Sequence, residues 1–110
     1  MIPFQLTDTH YEQKLRALQA LYRVIDPELA VNVLDLGLIY DMLFTENMVT
    51  VTMTLTTPHC PMGEAITAGV RNALTAEFPS QHIEVALTYE PPWHPGMISE
   101  AGKDLLGWNN

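Results

Sequence analysis

The stretch "TENMVTVTMTLTTPHCPM", Thr45 to Met62, decides the fold. Val49, Val51, Met53 and Leu55 alternate with Thr50, Thr52, Thr54 and Thr56. Period two, with β-branched residues on both faces, predicts a strand over Met48–Thr57. Ahead of it, Thr45, Glu46 and Asn47 form a short polar turn. Before the turn, Leu38 to Phe44 reads as another strand, with Leu38, Tyr40, Met42 and Phe44 on one face. So short a turn makes the two strands an antiparallel hairpin. Behind the central strand, Pro61 suits the first position of a helix, where its missing N–H is no loss. A helix is expected from about Pro61 to Phe78, with Ile66, Val70 and Leu74 on its apolar face.

The flanks complete the pattern. Tyr11, Leu15, Leu18, Leu21, Tyr22 and Ile25 recur at three- and four-residue steps and predict a helix over Thr9–Ile25. Thr9 and Glu12 make its capping box, Glu12 and Arg16 an i,i+4 ion pair, and Pro27 stops it. Asp26 to Gly37 is an irregular segment. His82 to Tyr89 is a third strand, and the "EPPWHPGM" run after it cannot continue a sheet. Ser99 caps a last short helix and Gly107 ends it. The order αββαβα implies a two-layer α/β (α+β) domain. It has a small three-stranded mixed sheet with helices on one face, leaving the threonine face of the central strand open. A right-handed crossover makes the third strand parallel to the second. One domain of residues 1–110 is expected, with residues 1–8 as a tail and 9–107 as the folded core.

Composition narrows the function classes. The chain has 110 residues, 47% hydrophobic and 16% charged, which marks it as globular. A net charge of −8 repels phosphate backbones and anionic lipid, so neither nucleic acid nor a membrane is an expected partner. The start, MIPFQLTDTH, reads as no signal peptide. One cysteine forms no internal disulfide, so a reducing cytoplasm is the expected compartment.

This topology sends three odd segments to one rim: the start of the first strand and the carboxyl ends of the other two. Open α/β sheets place ligand sites at such ends. Asp26, Glu28, Asp35, His59, Cys60, Trp93 and His94 are expected there. Cys60 falls beside the N-cap of a helix, whose partial positive charge favours a thiolate. Three readings stay open. Cys60 is a ligand for a soft metal, with His59 and His94 as further ligands. Or it is the nucleophile of a thiol enzyme, with a histidine base. Or the rim is a metal-free interaction adaptor, with Trp93 as an aromatic anchor. Against these stand bland readings: a buried inert thiol, surface histidines, turn-forming carboxylates, and a tryptophan packed on the core edge.

Five segments, "DPE" (Asp26–Glu28), "VLDLGLIYD" (Val33–Asp41), "MTLTTPHCPM" (Met53–Met62), "EPPW" (Glu90–Trp93) and "MISEAGKDLLGW" (Met97–Trp108), carry a family resemblance. The chain resembles the SufT/PaaD-like metal–sulfur cluster assembly proteins, of the iron–sulfur cluster assembly (FSCA) domain type, over roughly Leu15 to Trp108. The resemblance implies the same αββαβ core and an accessory role in maturing iron–sulfur proteins rather than catalysis. Cys60 matches the family's motif cysteine. Asp26, Asp35, Thr56, Thr57, Pro92 and Trp93 match other motif positions. His59 stands where the family often has glycine. The sequence ends at Asn110 without the cysteine-rich zinc region of longer phenylacetate-pathway members, so a general SufT-like role is expected.

Cysteine arithmetic shapes the mechanism. Iron–sulfur clusters usually take four thiolates, and this chain offers one. Iron or a labile cluster is therefore expected as transient cargo. A homodimer pooling two Cys60 residues, or a scaffold or client protein, would supply the missing ligands.

Overall fold

The computed structural model describes residues 11–27, 29–56 and 63–107. Its elements are α1 (Tyr11–Leu21), β1 (Ile39–Phe44), β2 (Met48–Met53), α2 (Gly63–Glu77), β3 (His82–Leu87), a 3₁₀ turn (Pro95–Met97) and α3 (Glu100–Leu106). The strands form one sheet in the order β1-β2-β3, with β1 antiparallel and β3 parallel to β2. The helix between two adjacent parallel strands is the crossover expected from the sequence. The hairpin turn closes through the Thr45 amide donating to Met48 O at 2.9 Å.

Helices cover one face of the sheet. α1 packs on α2, and α2 packs on β3. On the covered face Ile39, Met42, Phe44, Val49, Val51, Met53 and Ile83 are all buried. They meet Leu21 of α1 and Ile66, Val70 and Leu74 of α2 in one cluster. Each fully buried leucine or methionine of this kind contributes about 1.5–3 kcal/mol. On the other face Leu43 is 60% exposed, and Thr50 and Thr52 are half-buried.

Three boundaries and one register differ from the sequence reading. α1 ends at Leu21 rather than Ile25, because Ile25 bridges to Asn32 and the Val33 amide donates to Val24 O. Its core side is Ala17, Ala20 and Leu21, whereas Leu15, Tyr22 and Ile25 are exposed. Tyr40 does not alternate with Met42. The register slips between Ile39 and Asp41, so Tyr40 is the extra residue of a bulge and Ile39 takes the core position. β2 stops at Met53, and the alternation stops with it: Met53, Thr54 and Leu55 are buried in succession. β3 ends at Leu87, and Tyr89 lies beyond the sheet, 37% exposed.

The end of the sheet near the hairpin turn is locked. Arg16 donates to Glu77 Oε1 at 2.7 Å and to Glu77 O at 2.8 Å. Its guanidinium lies 4.8 Å from the Phe78 ring centroid, and Phe78 meets Phe44 edge-on. Gln81 donates to Thr45 O and Glu46 O across the hairpin turn. Both the α1–α2 contact and the β3 entry are thus fixed away from the rim.

Candidate functional site

Strand register places the rim. Ile39 pairs with Met53, and Met53 pairs with Leu87, so the start of β1 and the ends of β2 and β3 share one row. The segments that leave this row are the 32–38 loop, the Thr54–Thr56 exit, and the proline-rich run from Glu90. Glu28, Thr57, His59 and Cys60 lie outside the described residues, as do Thr9 and the first residues expected in the second helix.

The 32–38 loop is built on Asn32. Its side-chain carbonyl accepts from the amides of Leu34 (3.0 Å) and Asp35 (2.9 Å), an Asx turn. Its Nδ2 donates to Asp35 Oδ2 at 2.7 Å. The other Asp35 oxygen accepts from Ser99 Oγ at 2.7 Å, and Asp35 O accepts from the Ser99 amide at 2.7 Å. Ser99 Oγ in turn accepts from the Gly102 amide and so caps α3. Asp35 therefore ties the loop before β1 to the start of α3. Asp26, 2% exposed, accepts from the Leu29 amide at 3.1 Å in its own turn.

The proline-rich run lies against the same loop. Trp93 is half-buried on the core edge, and its Nε1 donates to Leu36 O at 2.7 Å. The bulge turns Tyr40 so that its hydroxyl donates to Pro91 O at 2.7 Å, with Met97 Sδ at 3.7 Å. Gly37, at φ +76°, lets Met97 approach: a Cβ there would stand 2.5 Å from Met97 O. A cleft of ≈ 370 Å³ remains between the two segments, lined by Gly37, Ile39, Tyr40, Pro91, Gly96 and Met97.

Pro92 and His94 are exposed, and Thr56 is half-buried three residues past β2. His94 Nδ1 accepts from the Gly96 amide at 3.1 Å and caps the 3₁₀ turn. A neutral ring that accepts at Nδ1 carries its proton on Nε2. Metal binding through Nε2 requires that proton to move and the Gly96 bond to break. Among the described residues, no group of three His, Cys, Asp or Glu side chains is placed to hold a metal ion.

The structure thus brings Asp35, Trp93 and Pro92 onto two segments joined by direct hydrogen bonds. Asp26 sits in a separate local turn. The sequence reading missed Asn32, Tyr40 and Met97 as parts of this junction. An Asn three residues before an Asp, ahead of a strand, was a readable Asx-turn signal. Nothing in strict alternation marks the bulge at Tyr40.

A helix–hairpin–helix–strand fold, with its loops crossing at one end of a mixed sheet, defines a small α+β domain. The model for the family "Iron-sulfur cluster assembly protein" matches residues 14–87, and the chain belongs to that family. The Fe-S protein maturation auxiliary factor of Porphyromonas gingivalis is 41% identical over 98 residues, covering 88% of this chain and 90% of that protein. The Fe-S protein maturation auxiliary factor SufT of Staphylococcus aureus is 44% identical over 86 residues, covering 76% of this chain and 97% of its own length. The crystal structure of a domain of unknown function (DUF59) from Bacillus anthracis superposes with a TM-score of 0.78 at 41% identity, over 87% of this chain and 91% of that one. The two curated relatives are named as maturation factors, in line with the non-enzyme that the family resemblance implies. No described helix is long and apolar enough to cross a membrane.

Proposed function

We propose that this protein is a maturation factor that takes iron or a labile iron–sulfur cluster transiently at Cys60 and passes it to a scaffold or client protein docked on the rim. The observation that carries the reading is the rigid junction beside the β2 exit. Asp35, Ser99, Trp93 and Tyr40 hold together two loops that leave the same row of the sheet as the end of β2. A surface fixed by short hydrogen bonds can orient a partner without paying to order itself. The single thiolate per chain argues for shared cargo, since a resident cluster needs more ligands than one chain provides. A reducing cytoplasm suits such a thiolate.

His94 is the weaker of the proposed ligands, because its Nδ1 already serves the Gly96 amide. Anaerobic reconstitution with iron and sulfide tests the assignment. Wild type is expected to retain both, Cys60→Ser to lose most of the bound iron, and His94→Ala to keep most of it. Equal retention by wild type and Cys60→Ser removes Cys60 as the ligand and leaves a metal-free adaptor.

A further inference from the structure

α1 is apolar on two sides. Small residues, Ala17 and Ala20, face the core with Leu21. Large ones face outward: Leu15 is 39% exposed, and Tyr22, the residue just after α1 whose amide still donates to Leu18 O, is 47% exposed. Tyr11, Leu15, Leu18 and Tyr22 follow one another at steps of 4, 3 and 4, which lines them up on a single stripe. Leu18 is half-buried and also touches the core cluster. Tyr11 is half-buried as well, so Leu15 and Tyr22 make up the exposed part of the stripe, and contiguous exposed apolar surface marks interaction sites.

The order of the stripe says what covers it. Tyr, Leu, Leu, Tyr reads the same in both directions about a midpoint between Arg16 and Ala17. A second α1 laid antiparallel sets Tyr11 of each copy against Tyr22 of the other, and Leu15 against Leu18. This is the self-complementarity that a two-fold interface requires, on the 3–4 spacing of a helix–helix seam. The flanking charges agree. Glu12 and Arg23 are both exposed. Antiparallel pairing brings Glu12 of one copy toward Arg23 of the other, because both flank the same side of the stripe. Opposed helix dipoles favour the same direction.

We propose that α1 is a homodimerisation surface, pairing antiparallel with a second copy of this chain along Tyr11, Leu15, Leu18 and Tyr22. A helix of 11 residues gives a seam only about 16 Å long. The buried area therefore falls in the transient class, below about 1,200 Å², and the dimer is a concentration-dependent equilibrium. The pairing does not depend on the cargo reading, although a dimer carries two Cys60 thiols.

Sedimentation velocity of the full chain over a concentration series tests it. The wild-type mass is expected to rise toward two chains, while Leu15→Glu and Tyr22→Glu stay at one chain, with circular dichroism and melting that match wild type at a dilution where wild type is itself one chain. Direction is read by oxidative cross-linking in a Cys60→Ser background. Tyr11→Cys and Tyr22→Cys proteins are expected to cross-link when mixed but not alone, because two copies of one position stand about 16 Å apart in the antiparallel pair. A wild type of one chain up to its solubility limit overturns the proposal. So does a dimer that Leu15→Glu leaves intact, or cross-linking of either variant with itself. A monomer that melts lower when Leu15→Glu is introduced assigns the stripe to contacts within its own chain, and also overturns it.

Discussion

Gly37 shows how a single residue sets the rim. Its φ of +76° lies in the left-handed region, and the Met97 carbonyl fills the space a side chain would need. Gly37→Ala meets both the backbone strain and the clash. It is expected to cost about 2 kcal/mol or more, at the upper end of single-residue backbone effects, read as a lower urea midpoint with an unchanged slope. Tyr40 acts by direction rather than by space, and Tyr40→Phe removes its bond to Pro91 O together with the hydroxyl's contact to Met97 Sδ. A loss of about 1 kcal/mol is expected, since that is the net worth of one hydrogen bond. At this scale the sequence was partly legible. Ser99 and Gly107 announced their caps by residue type, and the structure has both. Asp35 was visible as a rim carboxylate, but its partners were not, because Asn32 and Ser99 meet it from opposite sides only after the chain has folded.

Among elements, α3 depends most on a neighbour. It has seven residues, too few to be stable alone, and its cap is shared with the loop before β1. Ser99→Ala removes the bonds to Gly102 N and Asp35 Oδ1 together. The expected cost is about 1–2 kcal/mol, the range of N-cap deletions, with hydrogen exchange rising first at Gly102 and Lys103 and not in β2. β2 was legible because alternation is a local signal, and Val49, Val51 and Met53 are buried as read. The first helix was legible as an element and in part by face: Leu21 and half-buried Leu18 of the expected stripe meet the core, but Leu15, Tyr22 and Ile25 are exposed. Its large apolar stripe looked like the core side, whereas Ala17 and Ala20 take that place because α2 packs close. Periodicity finds a stripe; it does not say which of two stripes meets the rest of the chain. The bulge was beyond reach for a related reason: one inserted residue exchanges the roles of Ile39 and Tyr40 without changing composition.

For the whole molecule, topology followed from element order, since a two-layer sheet with a short hairpin and one crossover has few arrangements. The net charge of −8 then bears on partners. A scaffold or client that docks here is expected to present basic groups, and association is expected to slow as salt rises. At about 1 M salt the Debye length falls to about 3 Å and long-range attraction is lost. An association rate indifferent to salt would point to an apolar contact through the cleft at Tyr40 and Met97. The claim that unites the rim, the lone thiol and the family is that this protein holds its cargo in order to give it away. Transfer from the anaerobically loaded protein to the apo form of a [2Fe–2S] ferredoxin, followed by the acceptor's visible circular dichroism with an iron chelator present, tests that claim most directly. The account predicts transfer that survives the chelator and is lost in Cys60→Ser. Acceptor maturation that the chelator abolishes, or that proceeds equally with Cys60→Ser, would contradict it.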